Sequence, residues 1–247
     1  MKDINLTGNP FEDIKILEQY YLDIEDSRKV FISNELGIAY RDIGNYEKSI
    51  EYFNLGINHA KEFHASEEEI GVCIINLASS YRLNKDLENS RKCLDEARNY
   101  IKKENVFSYA SLLNYYGHYY LDLNEFEKAN EYYMDSVDLI ENIEDNNIFL
   151  INGYSNIANS LIKMENYDLA LEYYLKVKDI YEIKLKSQDP YYIRFMIRYI
   201  SLLFIKNDFN AKNELNNLQK IVENNKIQIP EYIINEMKEL EGKIYDQ

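Results

Sequence analysis

Four stretches of the chain can be laid over one another without a gap, and this self-similarity limits the possible folds more than any other feature. The first stretch carries Leu36, Gly37, Tyr40, Gly44-Asn45-Tyr46, Ser49, Tyr52, Phe53 and Gly56. Leu77, Ala78, Tyr81, Lys85-Asp86-Leu87, Ser90, Cys93, Leu94 and Ala97 repeat the pattern. The third copy runs through Tyr116, Gly117, Tyr120, Asn124-Glu125-Phe126, Ala129, Tyr132, Tyr133 and Ser136. Ile157, Ala158, Leu161, Glu165-Asn166-Tyr167, Ala170, Tyr173, Tyr174 and Val177 make the fourth. In each, a large apolar residue precedes a tiny one and a second large residue follows three positions later. A short polar break then leads to an aromatic residue or leucine, another small residue and an apolar pair. Residues three and four apart share a helix face, so the pattern describes two helices packed closely through their small residues. No such hairpin can bury its apolar face alone, and stacking of successive copies is required.

Composition agrees. The 247 residues include only 8 Gly and 3 Pro, which leaves little material for β-turns and favours helices joined by short connections. Small residues recur at 37, 78, 117 and 158, at intervals of 41, 39 and 41. A fifth, worn copy carries Phe195, Tyr199, Leu203 and Phe209, with Ile200 and Lys212 in place of its small residues.

The pattern resembles the tetratricopeptide repeat, whose usual period is shorter, about 34 residues. The extra length is expected to extend helices, for example through 58–64 and 179–186. The resemblance implies an all-α fold, a right-handed superhelix (α-solenoid) of antiparallel helix pairs. One domain over 1–247 is expected, with a capping helix in 1–27, about five repeats in 28–225 and a second capping helix in 226–247. Asn9-Pro10-Phe11-Glu12 reads as a helix start with Glu12 reaching back, followed by Phe11, Ile14, Leu17, Tyr21 and Ile24 on one side. Ser66-Glu67-Glu68-Glu69 and Asp189-Pro190 are further start signals, and Pro230 opens a last helix with Ile233, Met237, Leu240 and Ile244 inward. About twelve helices are expected.

With a net charge of −15, the chain repels phosphates and anionic lipid, which argues against nucleic acid and membrane partners. No stretch reaches the roughly 18 apolar residues that a membrane span needs, and the first residues do not read as a secretory leader. The cytoplasm is the expected compartment, with Cys73 and Cys93 reduced and packed in the core, and with Asn5-Leu6-Thr7 a chance match to the glycosylation pattern. Phosphate-loop, nucleophile-elbow and paired-cysteine motifs are lacking. His59 and His64 are five apart and do not share a helix stripe. Neither an enzymatic activity, a metal nor a cofactor is expected.

In this family the first helix of each repeat lines a concave surface. By register that surface holds Asn34 and Arg41, then Ser79 and Arg82, then Asn114 and His118, then Asn152, Asn159 and Lys163, with Asn76 and Asn156 one step round. Arg41 and Arg82 occupy equivalent positions and suit a carboxylate, unless Asp42 or another acid neutralises them. Asparagine amides can donate to and accept from an extended peptide backbone; an asparagine-rich composition is the other explanation. The expected function is non-catalytic binding of a protein or peptide, with the oligomeric state open. The long repeat is similar to the sensor domains of Gram-positive peptide-pheromone receptors, which hold a short peptide inside the superhelix. Some relatives are response-regulator phosphatases acting through a glutamine on an N-terminal helix, where this chain has Gln19. A structural scaffold, using the convex face, is the third reading.

Overall fold

In the computed structural model, the described residues are 4, 6, 7, 9–144, 146–185, 189–224 and 229–245. Asn5 of the glycosylation match, residue 186 at the end of one expected helix extension and residue 225 at the end of the repeat region lie outside them. Twelve α-helices follow one another among the described residues. Helix α1 is Pro10–Asp23; the pairs are α2 (Arg28–Asp42) with α3 (Tyr46–Glu62), α4 (Glu67–Leu83) with α5 (Leu87–Tyr100), and α6 (Val106–Asp122) with α7 (Phe126–Ile140). Helices α8 (Asn147–Lys163) and α9 (Tyr167–Asp179) come next; α9 runs on into a π-helical segment, Ile180–Leu185. The last three are α10 (Pro190–Ile205), α11 (Asn210–Asn224) and α12 (Glu231–Tyr245). The fold is all-α, an α-solenoid of consecutive antiparallel pairs with α1 and α12 at its ends. The chain divides into two compact units, Met1–Leu139 and Ile140–Gln247.

The small residues hold the hairpins together. Gly37, Ala78, Gly117 and Ala158 are buried on the first helices, and Ser49, Ser90, Ala129 and Ala170 on the second. Facing them are the fully buried Phe53, Leu94, Tyr133 and Tyr174. The glycines stand where a ring crosses the helix: a Cβ on Gly37 would lie 2.6 Å from Phe53, and one on Gly117 2.4 Å from Tyr133. In the fifth pair the register shifts by one on the second helix. Ala211 takes the buried position there, while Lys212 is exposed. The neighbouring first helix carries the bulky, fully buried Ile200, so the small residue of α11 moves along the helix.

Every hairpin turn is built alike. Gly44, Lys85, Asn124, Glu165 and Asn207 all have positive φ, between 53° and 77°. Directly after each, an amide closes the helix: Asn45 N–H donates to Tyr40 O, Asp86 to Tyr81, Glu125 to Tyr120, Asn166 to Leu161 and Asp208 to Leu203. The fifth copy keeps this turn although it has lost the small-residue pattern. A side chain in the left-handed region costs about 1 kcal/mol, which glycine avoids. Lys85→Gly is therefore expected to stabilise the chain by about 1 kcal/mol, read as a higher urea midpoint at unchanged slope.

The helix starts follow their sequence signals with one exception. Ser66 and Glu69 form a reciprocal capping box, and the Asp189 carboxylate accepts the amide of Tyr192 at 2.9 Å. At α1 the Asn9 side chain accepts the Phe11 amide at 3.0 Å, but Glu12 does not reach back; the Asn9 amide donates to Thr7 Oγ1 instead. Thr7 in turn donates its amide and hydroxyl to the buried Asp13 carboxylate, which holds Thr7 against α1. Ile14 and Leu17 of this end helix, and Ile24 just after it, are buried with Ile32, Leu36 and Ala39 of α2, whereas Phe11 is 65% exposed. On α12, Ile233, Met237, Leu240 and Ile244 are all buried.

Candidate functional site: the first-helix face

Within unit 1, α4 lies beside both α2 and α6, so the first helices of three repeats form one surface. Three polar contacts tie them. Asn34 Nδ2 donates to Cys73 Sγ at 2.9 Å, Ser108 Oγ donates to a Glu68 carboxylate oxygen, and Arg82 Nη1 pairs with Asp122 Oδ2 at 2.8 Å. Each joins helices one repeat apart.

The residues expected to bind a partner divide into groups. Arg41 and Arg82, equivalent by register, are not equivalent in charge. Arg82 is neutralised by Asp122 of the next repeat, and its Nε is buried without a partner. The Arg41 guanidinium lies 5.7 Å from the Phe53 ring centroid, with Nη1 buried and unpartnered. The Asn34 amide is half-buried; its Oδ1 has no hydrogen bond and sits where a Cβ on Gly56 would be 3.8 Å away. Asn76 and Asn114 are half-buried on α4 and α6, and Ser79 is buried.

His118 and Asn159 belong to the packing between the helices of a pair. The Tyr133 hydroxyl meets His118 Nδ1 at 2.8 Å, and the Tyr174 hydroxyl donates to Asn159 Oδ1 at 2.7 Å. Both follow the small residue of a first helix. Where the second helix offers no hydroxyl, with Phe53 or Leu94, the corresponding residue is Ile38 or Ser79. Burial, with Arg82 nearby, pushes the His118 imidazole down to about 4. In unit 2, Asn152 and Lys163 are exposed on α8 and Asn156 is half-buried. Gln19 is exposed on α1, where its amide donates to Asp23 at 3.2 Å.

At the N-terminal ends of α2 and α4 the surface opens into a cavity of about 1070 Å³. Ile4 and Leu6 form one wall, Tyr20 of α1 and Ile24 just after it another, and Phe31 and Val72 stand on the first helices. Phe63 and Ala65, from the connection between α3 and α4, close the side, and the buried Cys73 thiol and the half-buried Asn34 amide are also in the lining. Burial raises the Cys73 thiol, which keeps it protonated and neutral. Phe31 and Val72 occupy matching places, each six residues before the small residue of its first helix; the contribution of Ile4 and Leu6 had no sequence signal. Among the described residues no group of three His, Cys, Asp or Glu can hold a metal ion, and no helix is long and apolar enough to cross a membrane.

Models of the tetratricopeptide repeat match residues 32–58 and 110–143, and a further one residues 151–191. No curated protein matched the chain. Among solved structures, BtubC (BKLC) from P. vanneervenii is similar with a TM-score of 0.67 at 14% identity, over 90% of this chain and 92% of that one. A Rap protein solved in complex with Competence and Sporulation Factor gives 0.70 at 14% identity, over 87% of this chain but 59% of its own length. The apo form of RapI gives 0.62 at 17% identity, over 97% and 94%. At these identities the likeness is one of fold. The chain thus carries tetratricopeptide repeats in the matched segments, on a tetratricopeptide-type α-solenoid.

Proposed function

We propose that unit 1 is a non-catalytic receptor for polypeptide, holding an extended peptide or partner segment along the face of α2, α4 and α6. The fold is suited to protein or peptide binding in general. The choice of face rests on where apolar side chains are left in water. Among the described residues of unit 1's three pairs, each first helix exposes one large apolar residue: Phe31, Val72 and Phe107. On the second helices, which a scaffold would use, α3 and α5 expose none and α7 only Met134. On the same first helices Arg41 forms no salt bridge among the described residues, in contrast to Arg82, so its charge is available to a bound carboxylate.

Arg41→Glu and Phe107→Lys test this reading, with Met134→Lys as the opposite control. Partners recovered from a lysate of the producing cell are quantified for each variant, with helicity checked by circular dichroism. Recovery is expected to fall about tenfold with either first-helix change, equivalent to about 1.4 kcal/mol, and to be unaffected by Met134→Lys. Loss with Met134→Lys alone would move the binding surface to the second helices and favour the scaffold.

A further inference from the structure

We infer that the cavity between α1, α2 and α4 selects a short polypeptide stretch in which bulky apolar side chains stand next to a lysine or arginine. This rests on the polypeptide-binding reading and specifies what unit 1 chooses. The volume of about 1070 Å³ is at the upper end of what ligand sites offer, enough for more than one side chain. Its walls are apolar yet wet: Leu6 is 38% exposed, Phe31 51% and Val72 37%. Two polar groups of its lining, the Asn34 amide and the Cys73 thiol, are neutral and bonded to each other. A charged group driven in beside them would lose its hydration among apolar walls, and an acid would also meet the Glu69 charge that is felt at Cys73, so the inserted part of the occupant is apolar.

The rim sets the charge of what lies beside it. Asp23, Glu68 and Glu69 line the cavity, and none of them forms an ion pair with a lysine or arginine among the described residues. Their hydrogen bonds come from neutral donors, Gln19 to Asp23, Ser108 to Glu68 and Ser66 to Glu69, so the full negative charge remains. Among the described lining residues the one base, Arg28, is bound by both Asp26 carboxylate oxygens, through Nε and through Nη2 at 2.8 Å. A cation at the rim meets attraction, and an acid in its place meets repulsion.

The test uses the full chain and two fluorescein-labelled peptides, one containing Leu-Phe-Lys-Arg and the other Leu-Phe-Glu-Glu, titrated by anisotropy at low salt. The basic peptide is expected to bind at least about tenfold more tightly. Phe31→Ser and Val72→Lys, both at exposed wall positions, are each expected to weaken it about tenfold. Asp23→Asn combined with Glu68→Gln should remove most of the preference while keeping the apolar contribution. Equal binding of the two peptides, or a Kd unchanged by both wall variants, would overturn the inference. Binding lost with Phe107→Lys and Arg41→Glu but kept with both wall variants would remove the cavity and leave the first-helix face standing. Failure of both peptides, and of a random heptapeptide phage library panned on the same chain, would remove both readings. Self-association in sedimentation that Val72→Lys abolishes would assign the cavity to a second copy and also overturn the inference.

Discussion

Gly37→Ala is expected to destabilise the chain by about 2 kcal/mol, and adding Phe53→Leu to recover about half of that loss. The new Cβ would lie 2.6 to 2.7 Å from three atoms of the Phe53 ring, which is fully buried and has no room to retreat. Overpacking of this kind costs roughly 3 kcal/mol at its upper range, and the better helix propensity of alanine returns about 1. The double variant recreates the pair that the second repeat uses, Ala78 facing Leu94. Urea unfolding of the four species, combined as a double-mutant cycle, should therefore show a favourable coupling of about 1 kcal/mol plus whatever Phe53→Leu costs by itself. Strict additivity would mean that the ring does not bear on Gly37.

The same pairing shows how much of the fold was legible in the sequence. Small residues at matched spacing placed both helices of four pairs, because a close approach leaves a visible scar in composition. The fifth pair was harder to place. Ile200 and Lys212 break the small-residue pattern, while the feature that the pair does share, the left-handed residue at Asn207, is a backbone conformation. Gly44, and more weakly Asn124 and Asn207, announce it by residue type, whereas Lys85 and Glu165 do not. Lys85 and Glu165 adopt the same conformation because the helix-closing hydrogen bond that follows outweighs its cost. Glu12 failed as a capping residue for a comparable reason: Thr7 reaches the Asn9 amide first.

Less of the candidate site was legible. Register alone identifies which residues belong to the first helices, but not which are already occupied by the protein itself. Arg82 reads like Arg41 until its acid appears, and that acid, Asp122, comes from the next repeat rather than from the adjacent Asp42. His118 and Asn159 could have been recognised from sequence by comparing repeats. A side chain long enough to meet a hydroxyl follows the small residue where tyrosine stands at 133 and 174, whereas Ile38 and the short Ser79 take that place where Phe53 and Leu94 stand. The cavity is a different matter, since Ile4 and Leu6 line it beside Thr7, which two hydrogen bonds to Asp13 hold against α1, and such contacts leave no pattern in the sequence.

That occupied histidine leads to the second large effect: between neutral pH and pH 4, His118 should make the wild-type chain lose about 2 kcal/mol of stability that a His118→Asn variant does not lose. The ring lies between Tyr115 and Tyr133, accepts from or donates to the Tyr133 hydroxyl, and has the Arg82–Asp122 pair beside it. Burial is the first cause of its low value and the Arg82 guanidinium the second, with Asp122 opposing them. In the unfolded chain the imidazole takes up a proton near its ordinary value of 6.5, whereas in the folded chain it does so only at about 4. The unfolded state therefore binds more protons across that window, so stability rises with pH there. The contribution is fully present above 6.5 and is lost as the pH falls through 4. The full shift corresponds to about 3 kcal/mol, and partial exposure of the ring reduces it to about 2. In the His118→Asn variant the amide oxygen of the new side chain can still meet the Tyr133 hydroxyl while carrying no titrating group, as Asn159 does opposite Tyr174. Urea midpoints of the two proteins measured from pH 7 to pH 4 check the expectation, because the carboxylates they share cancel in the difference. A constant difference across the range would mean that His118 titrates as it does in water, and that the Tyr133 contact is made by an exposed ring.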